Sequence, residues 1–415
     1  MSSVEPNKLY KALTLLVFLL LSTALGTLFR WNSQILHIPS FAVPMIVLFW
    51  LPYALAAAFS LSRSVITASR SEVRIVVLLI FFYMVAGLVL FVSRQYFSIG
   101  YLAIYCPSSI VAFFAINRYF ATDIKPDTFA LARVGNYQIL EPYFSRLTLL
   151  DSPLPHGVDH STTLVIDYSG SMSDPWKRAV TQEVLNNRPI LSTEELYEIL
   201  NERVLVGDFS GQFLFFTPDR ILYFLVKRIL DIALSSVLLI LLFLPLVVIL
   251  IAVRLSSEGL PIFSQERVGY RGRIFTLFKI RTMLEHQTND SVNFTQDKDS
   301  RITPLGRWLR KYRIDEWPQF INVLRGDMSL IGPRPEQVPL ARKFENEIPY
   351  YSIRHNVKPG ITGWAQIKQG YVDSQAPTHT KLEYDLYYLK NAGLFLDLWI
   401  SMHTLVVILL KKGAR

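Results

Sequence analysis

Apolar residues form long blocks in the first 120 positions of the chain. Each block approaches the roughly 20 residues that a helix needs to cross a bilayer, and the blocks cover about residues 9–29, 41–62, 74–93 and 99–118. The pattern predicts a four-helix transmembrane domain over residues 1–120. Cations precede the first block and are enriched in the loop after the second, which predicts a cytoplasmic N-terminus. Four crossings then return the chain to the cytoplasm.

Residues 121–220 are more polar and alternate short apolar runs with segments of helical character. Apolar runs predict strands at 129–134, 147–150 and 163–166, and the intervening pattern predicts helices at 174–185 and 193–202. Ser192 and Glu195 have the spacing of a capping box. The alternation indicates a small cytoplasmic Rossmann-like α/β module.

A further apolar run begins after Lys227 and ends before Arg254. Pro245 interrupts it and favours a kink, while cations at both ends give no direction for a crossing. We therefore interpret residues 227–254 as a re-entrant helix that bends at Pro245 and leaves on the face it entered. Near the C-terminus, residues 393–410 could span the membrane or lie in its interface as an amphipathic helix.

Composition agrees with a membrane protein, since hydrophobic residues reach 51% and charged residues only 18%, against about a quarter charged in soluble domains. The formal net charge of +9 is concentrated in a basic segment that follows the proline-containing run. Such a segment beside a membrane suits anionic lipid or a phosphorylated substrate. Nucleic acid is not an expected partner, because no recognised binding motif accompanies the charge.

Two adjacent carboxylates, Asp315 and Glu316, lie inside the basic segment. Consecutive side chains on a helix diverge by about 100°, so this pair is not expected to share one proton. One carboxylate can attack a phosphoryl centre while the other positions a metal ion or substrate, and Mg²⁺ is the natural ion for carboxylates and phosphates. Arg307 and Arg310 precede the pair at helical spacing. A solvated charged surface is the alternative for each of these side chains.

The order of motifs over residues 221–415 resembles the bacterial sugar transferase family, the monotopic phosphoglycosyl transferases. The motifs are Lys-Arg-x-x-Asp from 227, Gln-Glu-Arg-Val-Gly from 265, Phe-Lys-Ile-Arg-Thr-Met from 278, Thr-Pro-Leu-Gly-Arg from 303, Asp-Glu-x-Pro-Gln from 315 and Ile-Gly-Pro-Arg-Pro from 331. The N-terminal spans and α/β module look like the long form of this family. Its members start O-antigen, capsule or exopolysaccharide synthesis.

The resemblance implies a reaction in two steps on a mainly α-helical catalytic domain, residues 221–415, with interfacial amphipathic helices. A UDP-sugar gives its sugar-1-phosphate to an aspartate and releases UMP, and undecaprenyl phosphate then takes the phosphosugar. Asp315 matches the nucleophile, Glu316 its partner, and both match the Mg²⁺ site, while Pro245 matches the helix-breaking proline. The residues expected to bind substrate or phosphate are Arg310, Arg307, Lys279, Arg281, Arg334, Pro333 and Pro335.

The expected partners are a UDP-sugar, undecaprenyl phosphate, membrane lipids and a second copy of the chain in a homodimer. The resemblance implies the bacterial inner membrane, with the catalytic domain on its cytoplasmic face. A plain hexose is the first expectation for the sugar, and N-acetylated sugars stay open. Two alternatives are a polytopic single-step transferase, which needs more spans and dispersed aspartates, and a non-catalytic membrane scaffold or regulator of polysaccharide assembly.

Overall fold

Apolar helices make up most of the N-terminal part of the chain. In the computed structural model they are α1 (Pro6–Trp31), α2 (Val43–Ser62) and α3 (Ile99–Ala121). Three helices of the described chain, namely α1, α3 and a later helix at Ile221–Ser256, are long and apolar enough to cross a membrane. The predicted third span, at 74–93, lies partly outside the described residues, so the count of four stays a prediction.

The structure describes most of the chain in ten stretches. These are residues 6–31, 42–62, 79–91 except 81 and 88, 98–121, 129–153, 162–186 except 169 and 170, 190–206, 220–284, 301–369 and 378–409. The chain forms two compact units. The first contains the N-terminal helices, and the second contains residues 164–415 together with 131–142 and 150–157.

Short strands and two helices follow the N-terminal helices. They are β1 (Phe129–Ala132), β2 (Thr148–Leu150), β3 (Thr163–Val165), α4 (Asp174–Leu185), β4 (Ile190–Leu191) and α5 (Thr193–Asn201), with strand order β2-β1-β3-β4. The predicted strands and helices of this region are therefore confirmed in place and type. β3 and β4 pair in parallel across α4, but such short strands leave the Rossmann-like assignment a prediction.

Helices joined by short strands and turns form the rest of the second unit. They are α6 (Ile221–Ser256), β5 (Ile262–Val268), β6 (Ile274–Ile280), α7 (Pro304–Lys311), α8 (Gln319–Arg325), β7 (Ser329–Ile331), α9 (Val338–Glu347), β8 (Gly360–Thr362), α10 (Trp364–Gln369), α11 (Thr378–Asn391) and α12 (Leu394–Leu409). β5 pairs antiparallel with β6, and β7 pairs parallel with β8. The predicted mainly α-helical character of this region is confirmed.

α6 is helical through Pro245 and extends beyond the predicted 227–254 at both ends. Near its start, Arg228 donates hydrogen bonds of 2.6 and 2.9 Å to the last carbonyls of α8. Near its end, Val253 packs with Leu309 and Ile314 of the same unit. The middle of the helix is instead exposed and apolar, as at Ile240 and Leu244. Both ends of α6 thus contact one body while the middle contacts little.

The C-terminal end of α5 packs into the core of the second unit. α5 begins at the predicted capping box and is followed by its C-cap residue, Glu202. The Glu202 carbonyl accepts a 2.9 Å hydrogen bond from the buried indole of Trp364. Val204 lies in the same buried cluster as Trp364, and Lys390 contacts the Glu198 carboxylate at 2.7 and 2.8 Å. The end of the α/β region and helices α10 and α11 therefore share a core.

Candidate active site

The two carboxylates of the candidate site lie in a tight turn between α7 and α8. The Thr303 hydroxyl caps α7 by accepting a 2.9 Å bond from the Gly306 amide, and α7 ends at Lys311. A left-handed residue, Arg313 (φ 55°), reverses the chain into a 3₁₀ turn at Ile314–Glu316. This turn buries both carboxylates, leaving 8% of Asp315 and 7% of Glu316 exposed.

Three cations surround the Glu316 carboxylate. Arg313 donates to Oε2 at 3.1 Å, Arg334 donates to Oε1 at 3.1 Å, and the Lys279 Nζ lies 3.5 Å from Oε1. Burial alone would raise the pKa of Glu316, but the combined charge of Arg334, Arg313 and Lys279 holds that pKa far below its usual range. Glu316 is therefore ionised, and both of its oxygens are engaged by cations.

Asp315 lies beside Glu316 in a different electrostatic setting. Burial and the neighbouring Glu316 charge raise the pKa of Asp315 to about 6, against the opposing effects of Lys279, Arg310 and Arg313. The pKa values of the two adjacent carboxylates are thus shifted in opposite directions. Such a difference in pKa is typical of sites where acid, base or nucleophile roles are divided. Asp315 is the one that can gain and lose a proton near neutral pH.

Most of the predicted phosphate-binding residues gather around this pair. Lys279 and Arg334 contact Glu316, and Arg310 is held by a 2.8 Å bond from its Nε to the Thr282 hydroxyl. Pro333 and Pro335 are buried on either side of Arg334. These five residues come from β6, α7 and the segment after β7, so the fold brings together what the sequence separates.

Two predicted residues lie elsewhere. Arg281 is buried and directs its Nη2 to the carbonyl and hydroxyl of Ser257, at 2.8 and 2.9 Å, at the end of α6. Arg307 is exposed on α7, and no contact joins its side chain to the carboxylate pair in the part of the chain that the structure describes. Substrate contact by either residue stays a prediction without support from this geometry.

Three arginines near the site were missed by the sequence reasoning. Arg313 stands three residues before Glu316, a spacing that pairs side chains on a helical turn and could have revealed it. Arg267 donates to the Pro335 carbonyl at 3.1 Å and lies within a motif that the sequence displays. No sequence pattern near Arg354 predicts its role, because Asp385 and the Arg334 carbonyl, which it contacts, are distant in sequence and are brought to it by the fold.

Arg354 fixes the backbone that carries Arg334. Its guanidinium, 1% exposed, donates to the Asp385 carboxylate at 2.6 and 3.0 Å and to the Tyr351 hydroxyl at 2.8 Å. The same Nη2 donates to the Arg334 carbonyl at 2.9 Å. Because Arg334 in turn binds Glu316, the Arg354–Asp385 pair is a positioning element for the site.

A magnesium ion fits this site through Asp315 rather than through both carboxylates. The Glu316 oxygens already accept from Arg313, Arg334 and Lys279, so Glu316 is a poor ligand as arranged. Among the described residues, no group of three His, Cys, Asp or Glu side chains could hold a metal ion by itself. Mg²⁺ commonly binds one or two carboxylates together with substrate phosphates, and Asp315 meets that requirement.

A buried carboxylate pair lies among cations on a unit that carries a long exposed apolar helix, an arrangement that suits a membrane-associated protein acting on a charged ligand. Residues 222–411 match the model of the bacterial sugar transferase family. The chain is also 38% identical over 307 residues to UDP-N-acetylgalactosamine-undecaprenyl-phosphate N-acetylgalactosaminephosphotransferase of Aeromonas hydrophila, covering 74% of this chain and 71% of that protein. The chain therefore belongs to the bacterial sugar transferase family.

Other relatives match over slightly less than half of the chain. The UDP-glucose:undecaprenyl-phosphate glucose-1-phosphate transferase of Klebsiella pneumoniae is 39% identical over 203 residues, covering 48% of this chain and 44% of that protein. The protein of the same name from Escherichia coli K12 is 39% identical over 192 residues, covering 46% of this chain and 41% of that protein. The chain thus spans less than half of these two relatives' lengths.

Proposed function

We propose that the chain transfers a sugar-1-phosphate from a UDP-sugar to undecaprenyl phosphate, as the first membrane step of O-antigen, capsule or exopolysaccharide synthesis. The observation that carries the proposal is the unequal carboxylate pair, in which Glu316 is held ionised by three cations while the Asp315 pKa is raised. The named relatives act on UDP-sugars and undecaprenyl phosphate, which supports the same chemistry here.

In the proposed first step, a carboxylate oxygen of Asp315 attacks the phosphorus that carries the sugar. A bond forms between that oxygen and phosphorus, and the bond from phosphorus to the bridging oxygen breaks, so UMP leaves with the bridging oxygen. In the second step a phosphate oxygen of undecaprenyl phosphate attacks the same phosphorus and releases the Asp315 carboxylate. The product is a sugar linked to the lipid through a diphosphate.

The surrounding cations bind and orient the charged substrates in this proposal. Arg310 lies close enough to Asp315 to favour its ionised form and is available to a donor phosphate. Arg334, Lys279 and Arg313 keep Glu316 ionised and give the site around the carboxylate pair an excess of positive charge, which suits the diphosphate of the UDP-sugar. When bound, Mg²⁺ would neutralise phosphate charge, and Asp315 is the residue that would hold it.

We propose that α6 is re-entrant and that the catalytic part lies on the cytoplasmic face of the bacterial inner membrane, in a homodimer. Contacts of Arg228 and Val253 with the same unit support entry and exit on one face. In a Cys106→Ser background, a cysteine in place of Leu222, in the first turn of α6, and one in place of Leu260, just after its last turn, should both react with a membrane-impermeant maleimide from the cytoplasmic side. A cysteine at Leu241 should be protected from both sides. Labelling of the two ends from opposite faces would make α6 a spanning helix.

A panel of UDP-sugars tests the reaction itself. Purified chain in lipid nanodiscs is given undecaprenyl phosphate, Mg²⁺ and one of UDP-glucose, UDP-galactose or UDP-N-acetylgalactosamine, and UMP is measured. We expect release with one preferred donor, a plain hexose by the sequence expectation or the N-acetylated sugar named for the Aeromonas relative. The corresponding lipid-linked sugar should appear in equal amount. If no UDP-sugar gives UMP, the alternative of a non-catalytic membrane scaffold or regulator would be favoured.

The rate of UMP release should fall in acid as Asp315 takes up a proton. Only the ionised carboxylate can attack, and burial raises its pKa to about 6 in the metal-free site, so at subsaturating Mg²⁺ kcat/KM should drop about tenfold per pH unit below that value and level off above it. Because Lys279 lowers the pKa of Asp315, Lys279→Met should move the acid limb to higher pH. A flat profile from pH 5 to 7 would argue against Asp315 as the titrating group.

A further inference from the structure

A wholly buried asparagine, Asn322 on α8, joins two elements of the active site. The residue is 0% exposed, and its side-chain amide reaches the backbone of β6. Its Oδ1 accepts a 3.1 Å hydrogen bond from the Phe278 amide, and its Nδ2 donates to the Thr276 carbonyl at 2.7 Å. A backbone N–H can only donate and a carbonyl can only accept, so these partners fix the orientation of the side chain. Both polar ends of Asn322 therefore bind one strand.

The Asn322 amide takes the place of a neighbouring strand. β6 pairs with β5 in a two-stranded sheet, and in such a pair only alternate residues exchange hydrogen bonds across the ladder. Thr276 and Phe278 are two residues apart, so their backbone groups share the edge of β6 on which Asn322 lies. Buried backbone groups need partners, and the side-chain amide supplies them as a peptide unit of a third strand would.

These two hydrogen bonds fix a register that apolar packing leaves open. Val323, the next residue of α8, shares a buried cluster with Leu277 of β6 and with Met328. Because apolar burial is non-directional, this cluster holds α8 against β6 without fixing how far one slides along the other. Hydrogen bonds require short distances and near-linear geometry. Asn322 is therefore the contact that sets the position of β6 along α8.

β6 and α8 carry the two sides of a contact in the active site. Lys279 directly follows Phe278 on β6, and its Nζ lies 3.5 Å from Oε1 of Glu316. Glu316 lies in the 3₁₀ turn that leads into α8 at Gln319. A slide of β6 along α8 would therefore change the distance between the Lys279 ammonium and the carboxylate pair.

We propose that Asn322 is a positioning residue for Lys279. By pairing with the backbone of β6, it holds the Lys279 ammonium beside Asp315 and Glu316, where this cation acts on the carboxylate pair and on the donor diphosphate. The effect on catalysis rests on the proposed function, whereas the pairing with β6 does not. One experiment therefore measures the pairing, and a second measures its effect on the reaction.

Hydrogen–deuterium exchange of the full-length chain in nanodiscs, resolved to single amides, tests the pairing without requiring turnover. In Asn322→Ala the Phe278 amide loses its acceptor, so its exchange should accelerate about tenfold or more. The matched control is Ile400→Ala, which truncates a side chain of α12 that is also 0% exposed. The control should change the Phe278 rate by about threefold at most, because α12 does not supply the acceptor.

Either of two exchange results would overturn the proposal. One is equal exchange of the Phe278 amide in the wild type and in Asn322→Ala. The other applies should Asn322→Ala fail to fold, and it is rapid exchange of the Phe278 amide in the wild type, since an amide bonded to a buried side chain is protected.

A double-mutant cycle on UMP release tests the effect on Lys279. Asn322→Ala and Lys279→Met should each lower kcat/KM by about tenfold. The double variant should be within about twofold of Lys279→Met, because the ammonium that Asn322 positions is already absent. If the two single effects multiply, Asn322 does not act through Lys279. A wild type that releases no UMP but protects the Phe278 amide through Asn322 would overturn the transfer reaction, and with it the catalytic role of Asn322, while the pairing stands.

Discussion

Asp315→Asn should abolish UMP release from the preferred UDP-sugar, with a loss on the order of 10³-fold or more, as expected when a nucleophile is removed. Asparagine keeps the size of the side chain, and it leaves the contacts of Glu316 with Arg313, Arg334 and Lys279 in place. The amide lacks the negative charge needed to attack phosphorus. Single-turnover measurement without undecaprenyl phosphate isolates the step, since the wild type should release one UMP per site and the variant none.

A matched substitution separates this effect from a general loss of acidic charge. Asp327→Asn removes a carboxylate twelve residues further on, half-buried and without contact to Glu316 in the described structure, and it should keep turnover within a fewfold of the wild type. UMP release by Asp315→Asn at the wild-type rate would exclude Asp315 as the nucleophile. A protein that binds lipid equally well in both variants and releases UMP in neither would instead be a scaffold.

The parts of this fold that were predicted from sequence are those controlled by local rules. The Ser192–Glu195 capping box and the helix it starts depend on neighbours within one turn, and both are confirmed. The long apolar helices likewise follow from composition alone. Asp315 and Glu316 could be predicted as site residues because an acidic pair within a basic segment can be read directly from the sequence.

The division of roles within the pair could not be derived from composition or spacing. Glu316 is held ionised partly by Arg334, which reaches it from eighteen residues further along the chain. Arg281 depends on packing in the same way, since its motif suggested phosphate binding and the fold directs its Nη2 to Ser257, so its role in phosphate binding stays a prediction. A linear pattern cannot specify which of several basic side chains faces a given carboxylate, because that depends on packing between distant elements.

The clearest case of such packing is the buried pair of Arg354 and Asp385, and breaking it should strongly destabilise the second unit. Asp385→Asn keeps the shape of the side chain but leaves the Arg354 charge, 1% exposed, with only the more distant Glu336 carboxylate, at 3.9 Å. Removing one partner of a buried ion pair costs about 3–5 kcal/mol. We expect the thermal unfolding midpoint to fall by roughly 5–15 °C. Asp151→Asn, which removes an exposed partner of Arg133, should change it little.

A double variant distinguishes an unpaired charge from a simple loss of contacts. Replacing Arg354 with Met and Asp385 with Leu removes both charges, and well-packed apolar pairs often replace buried ion pairs at no cost in stability. The double variant should therefore regain most of the lost midpoint. It should not regain wild-type turnover, because Arg354 also holds the carbonyl of Arg334. If the double variant recovers stability and full UMP release together, the pair is structural and does not position Arg334.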